Sequence, residues 1–173
     1  ERVFNQTESD LDMKLVYDVA HNIAKVEKHK VDGKERKVVV HRKGATRAFP
    51  ANRDEIPSKY RDLGQPVLVP GSMGTASWVL LGQPNSMDLS FGSTAHGAGR
   101  TMSRTKARRN FSEEDVKKSL NDKGIFIKAL TRDGVVEETP QAYKDVDAVV
   151  NVSHNLGIAT KVAKLVPIGV IKG

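Results

Sequence analysis

The segment SFGSTAHGAGR, Ser90 to Arg100, sets one histidine among small residues and follows it with Gly-Ala-Gly-Arg. No bulky neighbour in the sequence shields His96. Glycine-flanked backbone amides can form an anion-binding nest, and the Arg100 guanidinium adds a planar fork of donors for phosphate. An imidazole with an ordinary pKa of about 6.5 is substantially neutral at pH 7, so it can attack phosphorus and form a phosphoramidate without a separate activating base. The setting therefore suits a nucleotidyl-transfer nucleophile. It also suits a turn histidine hydrogen-bonded to backbone in a glycine-rich loop, and the local sequence leaves both readings open.

Three further segments carry chemistry-bearing residues. In YDVAHNIAK, helical spacing puts His21 one turn from Tyr17 and Lys25. A neutral imidazole on a rigid element suits Mn²⁺, Zn²⁺ or Fe²⁺, but one histidine is not a metal site, and Glu27 and His29 do not share its face. Other ligands would have to come from elsewhere, and a half-buried helix histidine is the plain alternative. KVDGKER, Lys30 to Arg36, partly matches the KxDG pattern of lysine nucleotidyltransferases. Glu35 stands where that pattern wants Arg, and Asp-Gly is the commonest short hairpin turn, so a hairpin is expected. Finally, Arg100, Arg104, Lys106, Arg108 and Arg109 form an acid-free run, enough to neutralise several phosphates in a salt-dependent way or simply to make a solvated cationic face.

The elements that must hold these residues are legible from periodicity. Leu11, Leu15, Val19 and Ile23 recur at spacing four behind Thr7 or Ser9 as caps, which predicts a helix over 9–27. Strands are expected at 37–42, 67–69 and 78–81, with the tight sequence PGSMGTA before the last. Residues 71–99 hold Gly71, Gly74, Gly82, Gly92, Gly97 and Gly99, a density that marks close backbone approach. Ser112, the acids after it and Gly124 frame a short helix. Ile125–Leu130 and Val135–Val136 flank Asp133-Gly134 as an expected hairpin, Tyr143–Leu156 reads as a helix ending at Gly157, and Lys164–Ile171 as a last strand. The sum is an α+β fold with mostly antiparallel strands and helices packed outside.

Composition bounds the function. The chain has 173 residues, with 28 Lys plus Arg against 21 Asp plus Glu, a formal charge of +7 and a pI near 9.6, which favours a polyanionic partner. Without cysteine, disulfides and thiolate zinc sites within the chain are excluded, and an intracellular origin is favoured. No apolar run reaches the ~18 residues of a membrane helix, and ERVFNQTESD is not a signal peptide. A start at Glu1 instead of Met suggests a processed or excised piece of something longer. Aromatics at 5%, with no RNP-like pattern, disfavour a stacking-based RNA module.

Taken in order, DVAHNIAK, HRKGATRAF, VPGSMGTASWVL, SFGSTAHGAGRTMSR and the terminal VPIGVIKG resemble the RtcB family of RNA ligases, over essentially the whole chain and roughly the C-terminal third of a family member. The resemblance implies guanylylation of a histidine by GTP with Mn²⁺, transfer of GMP to an RNA 3′-phosphate, and attack by a 5′-hydroxyl. His96 matches the guanylylated histidine, with Gly97 beside it, and His21 a manganese ligand. Asn22 matches its neighbour near the nucleotide; Lys43 and Arg100 match basic residues near the phosphates. Ser72 and Ser77 resemble guanosine-binding positions, Tyr143 the residue packing on guanine, and Lys172 a contact to the base edge. Arg104, Lys106, Arg108 and Arg109 become candidates for RNA contact. The family's other metal ligands have no match here, so the chain is expected to be an incomplete fold, inactive alone, that needs the N-terminal portion of the ligase. RNA, as tRNA halves, and archease are the other implied partners, and the cytoplasm the implied location. The competing reading is a basic nucleic-acid-binding module without chemistry.

Overall fold

The computed structural model describes residues 3–172. Glu1, Arg2 and Gly173, which carry the unusual start and the end of the terminal motif, lie outside the described residues.

Asp32 and Gly33 both take positive φ (50° and 77°), the geometry that a two-residue hairpin turn requires. They join β1 (Asn22–Val31) to β2 (Lys34–Lys43), which pair antiparallel along their full length, Asn22 opposite Lys43. KVDGKER is thus a hairpin. The hairpin also overturns the helix expected over 9–27. Residues 13–20 carry no regular element and β1 begins at Asn22, because a strand rich in β-branched residues gains ten paired positions with β2. The spacing-four stripe does not form one buried face: Leu15 is 82% exposed, whereas Leu11, Val19 and Ile23 are half-buried. The segment is tied down instead by Tyr60, whose hydroxyl donates to the Val16 carbonyl at 2.5 Å, and by Thr46, which donates to the Ala20 carbonyl at 3.1 Å.

One buried ion pair fastens this hairpin to the body. Arg42 donates from both terminal nitrogens to the Glu27 carboxylate, at 2.7 and 2.8 Å, and reaches Ser93 Oγ and the Phe91 carbonyl. His29 Nε2 lies 3.0 Å from the same carboxylate. Burial alone would raise the Glu27 pKa, but the hydrogen bonds and charge of Arg42, with His29, bring it below the ordinary carboxylate value.

After β3 (Ala45–Arg47), strands β4 (Pro66–Val69) and β5 (Ser77–Gly82) pair antiparallel, followed by α1 (Asn85–Ser90) and β6 (Ser93–Ala95), which returns to pair with β3. β5 is central, flanked on its other side by β8 (Ala159–Leu165). α5 (Val146–Asn155) is capped by Asp145 and turns Val146 and Val150 onto this sheet, closing a core with Ala48, Val67, Val69, Leu80, Ala98 and Ala159.

A second core lies around Val116, Leu120, Ile125, Val135 and Met73. It is built by α2 (Arg104–Asn110), capped by Ser103; α3 (Glu113–Asn121), capped by Ser112 as expected; and β7 (Phe126–Ala129). The hairpin expected around Asp133-Gly134 is instead α4 (Arg132–Glu137), because Thr131 accepts the Gly134 N–H and turns the dipeptide into the first turn of a helix. β7 finds its partner in β9 (Gly169–Lys172), running parallel. The single last strand expected over 164–171 is therefore two strands, β8 and β9, with Pro167 in the gap. Tyr143 lies before α5, not in it. The architecture is α+β and mostly antiparallel, with β7–β9 the parallel pair.

Candidate active site

His96 directly follows β6, whose partner β3 directly follows Gly44. Gly44 has φ +72°, a conformation that strains an L side chain, and this turn brings the end of β2 beside the His96 ring. The open end of the hairpin thereby delivers His21, Asn22 and Lys43 to the histidine loop. The rings of His21 and His96 stack with centroids 4.6 Å apart and planes within 10°. Burial lowers the His96 pKa from the usual histidine value, and the charge of His21 lowers it further. Both effects favour the neutral imidazole over the charged one.

The loop beyond His96 is bonded to two other segments. Ala98 N–H donates to the Pro70 carbonyl at 2.9 Å, and a side chain at Gly97 would come within 3.2 Å of that same oxygen. Pro70 opens the turn that carries Ser72, whose hydroxyl lies 3.0 Å from Thr75 Oγ1, and Ser77, the first residue of β5. Gly74 in this turn is needed for space, since a Cβ there would stand 2.5 Å from Pro140. Further on, Lys144 N–H donates to the Gly99 carbonyl and Thr101 N–H to that of Ala142, with Arg100 and Tyr143 bridged between them.

Arg100 and Tyr143 meet through their side chains as well. The guanidinium lies over the Tyr143 ring, 4.9 Å from its centroid, and donates to the phenol oxygen at 3.0 Å. The phenol donates to Glu138. Burial raises the Tyr143 pKa, and the Glu138 hydrogen bond and charge add to the rise against the opposing pull of Arg100, so the hydroxyl keeps its proton. Lys172 on β9 reaches the same carboxylate at 4.0 Å.

The structure thus gathers the expected residues into two groups, His21, Asn22, Lys43 and His96 at the hairpin mouth, and Arg100, Tyr143 and Lys172 around Glu138. The 70–77 turn is hydrogen-bonded to the loop between them. The basic run divides by helix face: Arg104 and Arg108 lie within 4 Å of Glu137, with Glu138 and Asp133 beside them, whereas Lys106 and Arg109 are exposed and have no carboxylate within 4 Å among the described residues. Sequence reasoning missed Glu138. Its signal was present as an acidic pair, Glu137-Glu138, able to answer the acid-free arginine run. Among the described residues no group of three His, Asp or Glu could hold a metal, and His21 has no second such ligand grouped with it into a site.

A stacked histidine pair thus stands at the mouth of a glycine loop, with Arg100 in that loop and the 70–77 turn hydrogen-bonded to it. The family model for tRNA-splicing ligase RtcB matches residues 1–173. The chain belongs to the RtcB family. It is 53% identical over its whole length to the tRNA-splicing ligase RtcB of Nanoarchaeum equitans and 56% identical to that of Thermococcus kodakarensis, covering 36% of each relative. It is also 56% identical to the RtcB of Pyrococcus abyssi, of which it covers 19%. The chain thus spans about a third or less of the length of these RtcB relatives. No helix among the described residues is long and apolar enough to cross a membrane.

Proposed function

We propose that this chain is the C-terminal catalytic portion of an RNA ligase that joins RNA 3′-phosphate or 2′,3′-cyclic phosphate ends to 5′-hydroxyl ends in tRNA splicing, through a GMP carried on His96. The observation that carries the reading is the His21–His96 stack at the glycine loop, where burial and then the charge of His21 lower the His96 pKa and so favour the neutral, nucleophilic imidazole. In the first step a ring nitrogen of His96 attacks the α-phosphorus of GTP; the N–P bond forms, the α–β bridging P–O bond breaks, and pyrophosphate leaves with the electron pair. Lys43 and Arg100 offset the charge that develops on the phosphates, and the Gly97 amide adds a donor. An RNA 3′-phosphate oxygen then attacks the GMP phosphorus, the N–P bond breaks and the imidazole is restored. The 5′-hydroxyl attacks the activated 3′-phosphorus, loses its proton and expels GMP.

Ser72, Ser77, Tyr143 and Lys172 bind the nucleoside, and Asn22 stands beside it at the hairpin mouth. Mn²⁺ would be held by His21 with ligands from outside this chain, where it would polarise the α-phosphate. The remaining ligands place the N-terminal portion of the ligase among the required partners, as a companion polypeptide or in one chain. RNA halves and archease are the other partners of this reading, and the cytoplasm its location.

The test is incubation of the chain, completed with that N-terminal portion, with radiolabelled GTP and Mn²⁺. An acid-labile label on His96, lost in His96→Ala, is expected. A completed assembly that binds RNA and takes no label would leave the nucleic-acid-binding module as the function.

A further inference from the structure

We infer that Glu138 is a positioning residue for guanine recognition, the anchor that holds Tyr143 and Lys172 in place to receive the base. The inference rests on the nucleoside-binding roles proposed above for those two residues. Glu138 immediately follows α4, between Val136 (2% exposed) and Thr139 (fully buried), so its backbone is fixed by packing. The Thr139 and Ala142 backbone bonds continue that rigidity through the turn to Tyr143.

The two carboxylate oxygens divide their work. Oε2 accepts the Tyr143 hydroxyl and lies 4.0 Å from Lys172 Nζ; Oε1 lies 3.5 Å from Arg100 Nη1 and 3.8 Å from Arg104 Nε. Four donors from three distant parts of the chain thus converge on one side chain, itself about three-quarters buried.

The physical need for such an anchor is clear. A lysine carries about 2 kcal/mol of rotamer entropy, and without a partner Lys172 would spend that on each binding event. Its ammonium stands 4.0 Å from Glu138 Oε2, the same oxygen that accepts the Tyr143 hydroxyl. Arg100 lies over one face of the Tyr143 ring, and the phenol bond to Glu138 fixes where the hydroxyl end of the ring stands. An ammonium beside the base favours acceptors such as guanine O6 and N7, where adenine offers an amino donor in place of O6. Selectivity therefore acts through Lys172, and Glu138 sets where Lys172 stands.

The experiment measures Kd for α,β-methylene analogues of GTP and ATP on the completed assembly, so that no covalent step is needed. Glu138→Ala is expected to weaken both analogues through Tyr143 but the GTP analogue about tenfold more than the ATP analogue, so that selectivity falls by that factor. Glu138→Gln keeps an acceptor for Tyr143 but not the charge facing Lys172, and should show a smaller loss. Lys172→Ala added to Glu138→Ala should cost almost nothing more, since the two act as one unit. Unchanged selectivity in both Glu138 variants, additive losses in the double variant, or a wild type that does not prefer guanine each overturns the proposal. A preserved guanine preference with no label on His96 would instead overturn the nucleophile assignment alone. Should Glu138→Ala fail to fold, Glu138→Gln and the double variant on its background decide the matter.

Discussion

On the proposed reading the histidine pair divides two tasks between similar rings. His96 is set in the loop with its pKa lowered by burial and by its neighbour, whereas His21 is exposed in the bend before β1. Replacing His21 by alanine should therefore leave the fold intact while raising the Mn²⁺ concentration required for guanylylation by ten- to a hundredfold, a range typical of lost metal-site support; a metal titration of the labelling rate checks this. An unchanged requirement would remove His21 from the metal set. Gly44→Ala should act on the same pair by another route. Its Cβ would meet His96 only at van der Waals distance, 3.8 Å, so the cost comes from φ +72° and is about 1 kcal/mol, read as a lowered unfolding midpoint. His96 was visible in the sequence because a histidine among glycines has few roles. Its partner was visible only as a residue and not as a place, since nothing local to DVAHNIAK says that β2 will return beside it.

Elements explain what periodicity could not. A stripe at spacing four is a helix signal only where one core receives all of it, and here Leu15 stays exposed while Leu11, Val19 and Ile23 are half-buried from a turn, an irregular segment and a strand. Likewise Asp133-Gly134 looks like a turn until Thr131 caps it, and capping depends on a hydrogen bond of three-residue reach that competes with hairpin formation. The elements with two agreeing signals, Asp32-Gly33 in the first hairpin and Ser112 with Gly124 around α3, stand where expected.

The hairpin's attachment is itself testable. Arg42→Ala would leave Glu27 charged and unpaired in a buried setting and should lower unfolding free energy by about 3–5 kcal/mol, measured by denaturant titration. Because the Glu27 pKa is lowered in the folded state, its contribution is complete above its unfolded value near 4.5 and is lost as pH falls through the folded value. Glu27→Gln should accordingly flatten the acid limb of a stability profile below the unfolded value near 4.5.

On α2 the prediction concerns charge. Lys106→Ala with Arg109→Ala should reduce the slope of log affinity for single-stranded RNA against log salt by about 1.4, the amount for two lost phosphate contacts. Arg104→Ala with Arg108→Ala should change that slope less, because Glu137, Glu138 and Asp133 already face those guanidinium groups.

Across the whole molecule, the sites are formed by pairings between remote segments. On the proposed reading the chain by itself should take no label from GTP, and supplying the N-terminal portion of the ligase should restore it, since the described residues hold no group of three metal-ligating side chains. Gel labelling with and without the companion checks this. Time adds a further consequence. The β1–β2 hairpin closes through a two-residue turn and can form within about 1–10 μs, while β3 must wait for β6, with Thr46 meeting Thr94 only after the intervening β4, β5 and α1 have been accommodated. His21 rides on the early unit and His96 on the late one. A refolding chain therefore passes through a period in which the hairpin is native and the two imidazoles are still apart, and the meeting of those rings marks the arrival of the slow, long-range step.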